Sequence, residues 1–263
     1  MPPVSANLVA FFLQFPRIPP FLAYFEIAAQ YAVRQGSILF HFGVHVLLSL
    51  IGMSGSGKSF WSAKLAGIGY KRFCCDDLIT DRLDSQLKRE DGSALSLGEW
   101  MGFPFQPDYE RKEAIYLACE KEVVSDVLEW LETNACGEGS ENVVVDTTGS
   151  VIYTGEDLLA RLRSLTTMVN FTNPPEIRDA MLREYRANPR PVLWRGLFGR
   201  RDGESDEAAL LRSYNLLLDE REGLYQKLAD IEIDYRTRST PGFGISDFLQ
   251  IVKRSGAKDC PQE

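Results

Sequence analysis

Gly52-Met53-Ser54-Gly55-Ser56-Gly57-Lys58-Ser59 matches the spacing G-x-x-x-x-G-K-[ST]. In such a loop, backbone N–H groups can cradle phosphates, the lysine can reach the outer phosphates, and the last hydroxyl can hold magnesium. Three acids recur where they could serve the same chemistry. Asp76 and Asp77 follow the run Lys71–Cys75. There, one carboxylate could orient or deprotonate a hydroxyl and the other could reach magnesium, but either acid serves equally as the N-cap of a helix beginning near Leu78. Asp146 closes the apolar run Val143–Val145 and is followed by Thr147-Thr148-Gly149. It is expected to hold magnesium or contact a substrate, with Gly149 allowing close backbone approach.

One segment gathers positive charge. Residues 178–201 hold seven arginines against two acids, around Asn188-Pro189-Arg190-Pro191 and the glycines at 196, 199 and 203. A closing loop over 188–205 is expected, with Arg190 gripping phosphate oxygens through its planar fork. The remaining arginines read equally as a solvated helix face. Histidine chemistry is not expected, since His41 and His45 fall before or at the start of the first strand, away from the sheet edge that carries the loop.

The elements needed to position these residues are visible as alternation. Strands are predicted at 44–51, 71–75, 142–146, 166–171 and 231–235. Helices are predicted at 57–66, 109–133, 155–164, 175–187 and 206–229. In the longest helix Tyr116, Cys119, Val123, Val127, Trp130 and Leu131 form one apolar stripe. Apolar strands alternating with such helices predict an α/β domain: a parallel sheet of about five strands, covered on both faces, with ligands at the carboxyl ends. That domain is assigned to residues 44–256.

Composition limits the partners. With 263 residues, 44% of them hydrophobic and 25% charged, the chain resembles a soluble globular protein with a sizeable core. A net charge of −8 argues against nucleic acid or anionic membrane as a general partner, so an anionic ligand must be met by locally placed cations. The five cysteines lack metal spacing and read as reduced thiols of a cytoplasmic compartment. Residues 1–43 are apolar, interrupted by prolines and nearly free of acids, and no run in them is long enough to cross a membrane. They are read as an N-terminal extension, either a disordered or packed segment or a targeting segment that would send the protein to an organelle. The sequence is silent on oligomeric state.

With these motifs in place, the span from Val44 to Lys253 resembles the shikimate kinases, small members of the nucleoside monophosphate kinase fold. The resemblance rests on the phosphate loop, the acidic pair after strand two, Arg190-Pro191-Val192-Leu193 as the lid motif, and Arg221-Glu222-Gly223-Leu224-Tyr225 before the last strand. It implies a three-layer P-loop kinase fold with a mobile lid, and an enzyme that uses ATP and Mg2+ to phosphorylate a hydroxyl of a small anionic metabolite. ATP would be bound by Gly52, Ser54, Gly55, Ser56, Gly57, Lys58, Ser59 and Arg190, and metal by Ser59, Asp76 and Asp146. Lys58, Asp77 as base and Arg190 would be catalytic. Asp77, Thr148, Gly149 and Arg221, with Arg221 oriented by Glu120, would bind the acceptor, and Thr237–Pro241 would meet adenine. Three departures stand against a shikimate site. Leu117 replaces a carboxylate-gripping arginine, Thr147-Thr148-Gly149 replaces three glycines, and Cys75-Asp76-Asp77 replaces Asp-x-Asp. A kinase of nucleosides, nucleotides or RNA ends, or a catalytically decayed nucleotide-binding regulator, remains the alternative.

Overall fold

A computed structural model describes residues 45–135 and 140–257. The expected extension, residues 1–43, together with His41, Cys136 and Cys260, lies outside the described residues.

Five short strands form one all-parallel sheet: β1 (Leu47–Ile51), β2 (Lys71–Cys74), β3 (Val143–Asp146), β4 (Thr167–Thr172) and β5 (Ile231–Asp234), in the order β2-β3-β1-β4-β5. The strand expected from Val44 starts at Leu47; the others fall within two residues of expectation. Around the sheet lie α1 (Lys58–Ala66), α2 (Cys75–Leu83), α3 (Leu97–Met101), α4 (Tyr109–Asn134), α5 (Glu156–Leu165), α6 (Arg178–Ala187) and α7 (Asp206–Leu228), all within the crossovers between strands. Two further helices, α8 (Tyr235–Arg238) and α9 (Ile245–Arg254), come after β5.

Side chains alternate across a strand, so a strand buried on both faces serves two cores. In β1, Leu47 and Ile51 join a core with α2, α4 and α7, whereas Leu48 and Leu50 join one with α1 and α9. The second core is aromatic. Trp61 stacks on Phe248 with ring centroids 5.3 Å apart and meets Phe243 edge-on at 5.4 Å. The strong amphipathic pattern of α9 thus buries Phe248 and Val252 against the face that α1 leaves open. In the α4 stripe Tyr116, Cys119, Val123, Val127 and Leu131 are buried, while Trp130 is half-buried and packs on Phe73.

The register brings the chemistry together. Leu50 pairs with Asp146, Asp146 with Cys74, and Ile51 with Asn170. The carboxyl ends of β1, β2 and β3 therefore lie level, and the segments leaving these three strands open on the same edge.

Candidate functional site

The loop between β1 and α1 is set by its glycines. Gly52, Gly55 and Gly57 have φ of 134°, 80° and 95°, values that side chains rarely permit. Gly52 is further constrained, because a Cβ there would sit 2.8 Å from the carbonyl oxygen of Phe171. Gly57 is the N-cap of α1 and offers no side chain to the first N–H groups, leaving the positive end of that helix open. The Ser56 hydroxyl is buried without a hydrogen-bond partner among the described residues. Lys58 is buried, and its Nζ donates to the carbonyls of Gly52 at 2.8 Å and Met53 at 3.1 Å. Burial pushes its pKa below the usual lysine value, a shift opposed by the nearby charges of Asp76 and Asp146. An uncapped helix end, an orphaned hydroxyl and a buried ammonium together fit a phosphate group.

Behind the loop stands an arginine of the Thr237–Pro241 segment, in a position that the sequence did not suggest. Arg238, on α8, donates from Nη2 to the carbonyls of Ser56 (3.2 Å) and Thr172 (3.1 Å) and to Asn173 Oδ1 (3.1 Å), over the Phe171 ring. It braces the phosphate loop against β4 and β5. No local motif marks it, since its partners come from separate segments. The segment that holds it, Thr237–Pro241, expected to meet adenine, lines neither of the two cavities at the loop.

A cavity of about 630 Å³ opens beside the loop. Ser54, Gly55, Gly57, Lys58 and Ser59 line one side of it. Across it stand Asp76 and Thr80 from α2, Leu97 and Gly98 from α3, and Tyr116 from α4. Gly149 and Pro189-Arg190-Pro191 complete its rim. A second cavity of about 250 Å³ shares Ser54, Gly55 and Arg190 with the first, and its remaining wall is largely apolar, with Ile177, Met181, Tyr185, Tyr214 and Tyr235.

The acidic pair is divided. The helix begins at Cys75 rather than near Leu78, so Asp76 and Asp77 both lie in its first turn and neither is the cap. Successive helical residues point about 100° apart. Asp76 consequently faces the cavity, where Tyr116 Oη donates to its Oδ1 at 3.5 Å, whereas Asp77 lies outside that wall. Crowding by protein raises the Asp76 pKa, aided by Asp146 and Asp77 and opposed by Lys58. Of the acidic pair it is therefore Asp76, and not the expected base Asp77, that lines the cavity.

Asp146 is likewise committed elsewhere. Its buried Oδ2 accepts from Arg72 Nη2 at 2.8 Å and from Ser62 Oγ at 2.9 Å, and Arg72 Nε donates to Ser62 Oγ at 2.7 Å. It does not line the cavity. Of the three residues expected to hold metal, Ser59 and Asp76 face the cavity and Asp146 closes a buried ion pair behind it. The donor pair Ser59 and Asp76 suits a hard oxygen-seeking cation such as Mg2+.

Glu120 and Arg221 are both buried yet do not pair with each other. Glu120 accepts from Thr148 Oγ1 and from Ser150 Oγ (2.8 Å), and burial lifts its pKa to about 7. The Arg221 guanidinium donates to the carbonyls of Gly149 at 3.1 Å and Leu193 at 2.7 Å and lies over the Tyr153 ring at 5.4 Å. It forms no ion pair among the described residues and lies behind Gly149 rather than in the cavity wall. Glu120, expected to orient Arg221, makes its hydrogen bonds to the hydroxyls of Thr148 and Ser150, and the Arg221 guanidinium makes its own to backbone carbonyls.

The segment expected as a lid is anchored at its centre. Val192, Leu193 and Trp194 are buried; Tyr109 Oη donates to Val192 O (2.7 Å) and accepts from Trp194 N (2.9 Å), and Arg195 N donates to Glu113 (2.8 Å). Only Pro189–Pro191 reaches the cavity, bringing Arg190 exposed and without an ion pair among the described residues.

No protein-family model matches the chain, and no curated protein does. Among solved structures it is similar to a shikimate kinase from Acinetobacter baumannii in complex with shikimate, at 18% identity and a TM-score of 0.50 over 81% of this chain and 96% of that one. It is also similar to shikimate kinase from Bacteroides thetaiotaomicron (20% identity, TM-score 0.49, 80% of this chain and 97% of that one). A third similar structure is dephospho-CoA kinase from Campylobacter jejuni (15% identity, TM-score 0.44, 79% and 94%). The likeness is one of fold: the chain has the three-layer α/β P-loop architecture of a shikimate kinase. Among the described residues no helix is long and apolar enough to cross a membrane.

Proposed function

We propose that the protein is an ATP-dependent kinase that transfers the terminal phosphoryl group to a hydroxyl of a small molecule. The observation that carries this is the single cavity in which an uncapped helix end and a buried lysine face a carboxylate, Asp76, from the opposite wall. Phosphoryl transfer asks little covalent chemistry of a protein; it asks for alignment and for compensation of charge on the transferring group. Gly55, Ser56 and Gly57 would cradle phosphates through backbone N–H groups. Lys58 and Arg190, flanking the same end of the cavity, would stabilise the transferring group.

Asp76 is assigned to the acceptor hydroxyl. It faces the cavity from the wall opposite Lys58, and Tyr116 Oη donates to one of its oxygens. Mg2+ would be held through Ser59 and Asp76, and when bound it neutralises phosphate charge. Asp146, with Arg72 and Ser62, would keep α1 in place on the sheet. The apolar second cavity suits the nucleoside part, since it adjoins the loop at Ser54 and Gly55. The nucleoside is thereby moved from the 237–241 loop to the side of Tyr235.

The test is Lys58→Ala, assayed for transfer from radiolabelled ATP to a pool of hydroxyl compounds. Transfer should fall by about a thousandfold, while the urea midpoint moves by the equivalent of about 1 kcal/mol or less, because a buried cation without a carboxylate partner adds little to stability. Near-normal transfer in the variant would refute the assignment.

A further inference from the structure

We infer that Gly98 is a positioning residue for Arg190. Helix α3 forms a seat for the arm Pro189-Arg190-Pro191, and the seat exists because residue 98 carries no side chain. What this does for phosphoryl transfer rests on the kinase reading; the seat itself does not.

Gly98 is buried inside α3, and its φ is not positive. Its backbone conformation therefore does not call for glycine, and within a helix alanine is the more favourable residue. The call comes from packing. A Cβ at position 98 would overlap the carbonyl group of Pro189 and stand 2.6 Å from the backbone nitrogen of Arg190. These neighbours are main-chain atoms, which cannot swing aside as the tip of a long side chain can. Among the described glycines, only Gly52 and Gly98 would bring a Cβ within 3.0 Å of the backbone of another segment. Gly52 belongs to the phosphate loop, and Gly98 to the wall across the cavity from it.

Both sides of the contact are held from behind. Ser96 and Glu99 cap α3 reciprocally: Ser96 N donates to Glu99 Oε2 at 2.9 Å, and Glu99 N donates to Ser96 Oγ at 3.2 Å. Leu97, Trp100 and Met101 are buried in the core. On the other side, α6 ends at Ala187, and the buried Val192, Leu193 and Trp194 are tied to Tyr109. Only residues 188–191 run between these anchors, and a proline fixes φ on either side of Arg190. The backbone of Arg190 thus has a stop on α3 and little freedom elsewhere, and its side chain lines both cavities beside the phosphate loop.

A guanidinium that stabilises a transferring phosphoryl group must already be in place when the charge develops. A misplacement of about 1 Å can cost about a hundredfold in rate. Gly98 fixes that place, from a helix that faces the cavity through Leu97 as well.

The first test needs no activity. In crystal structures of the wild type and Gly98→Ala, the added methyl should set Pro189 and Arg190 back from α3 by about 1 Å or more, with α3 and Val192, Leu193 and Trp194 in place. An arm that has not moved, or an α3 that gives way instead, overturns the inference. The second test is a double-mutant cycle in transfer from ATP. Gly98→Ala should lower kcat about a hundredfold in the wild type, but about threefold or less when Arg190→Ala is already present. Unchanged turnover, or the same loss in both backgrounds, overturns the inference, because a merely structural role would cost the same with or without Arg190. Should Gly98→Ala fail to fold, Pro189→Gly loosens the arm from its own side and enters the same cycle with the same expectation. If the wild type transfers phosphate to no acceptor, the kinase reading falls, and the displacement in the crystal still decides whether Gly98 seats the arm.

Discussion

The two walls of the large cavity are built in different ways. The phosphate wall is eight consecutive residues, Gly52 to Ser59, whose shape is fixed by backbone angles and whose chemistry is mostly backbone N–H. The facing wall is assembled from side chains on three separate helices, α2, α3 and α4, running from Asp76 to Tyr116. The first is a property of a short string, and it changes only if a glycine is lost. The second depends on where each helix starts and on which side chains are tied up behind it. A one-residue change of phase exchanges Asp76 for Asp77, and a pair of hydroxyls redirects Glu120.

This difference can be broken at the phosphate wall with the largest effect. Gly52→Ala combines a φ of 134° with a contact of 2.8 Å to a β4 carbonyl that is part of the sheet. The expected loss is about 3–5 kcal/mol of stability in urea unfolding. A loss below about 1 kcal/mol would mean that the loop is not held as described.

Behind the facing wall the informative group is Glu120, which is fully buried. Its pKa of about 7 in the folded protein lies above the ordinary value of 4.5, so the folded state holds a proton that the unfolded state has released. The contribution is full below about pH 4.5, is lost as pH rises toward 7, and is absent above it. Relative to Glu120→Gln, the wild type should lose about 3 kcal/mol between about pH 4.5 and pH 8. Parallel curves for the two proteins would show that Glu120 is not held in a buried, proton-favouring site.

Asp146 lies behind the cavity, in neither wall. Asp146→Asn removes the buried partner of Arg72 and should cost about 2 kcal/mol of stability, while ATP affinity in Mg2+ by calorimetry changes less than about threefold. Preserved stability with lost Mg2+-dependent affinity would return Asp146 to the metal.

The same contrast explains what was legible in the sequence. The strands and the phosphate loop were readable because apolar runs and glycine spacing are local. Arg190 was readable because a lone Arg-Pro in a glycine-rich segment has few other uses. The pairing of Arg72 with Asp146 was not readable, since it depends on β2 and β3 being neighbours in register. Nor was Arg238, whose partners span Ser56 to Asn173 and meet only once β4 and β5 pair. Helix α9 carries an apolar face visible in its sequence, but nothing local says that Trp61 will need cover. Arg221 falls within α7, as its place before the last strand implies, but that Glu120 bonds to Thr148 and Ser150 depends on β3 and α4 meeting and has no local signal.

The central claim is that a carboxylate on α2 serves the acceptor from across the cavity, and that it is Asp76. The direct measurement is phosphoryl transfer from ATP by Asp76→Asn and Asp77→Asn side by side with the best acceptor found. The account predicts a loss of about 10²–10⁴-fold for Asp76→Asn and less than about threefold for Asp77→Asn. Loss of transfer in Asp77→Asn with near-normal transfer in Asp76→Asn would contradict it.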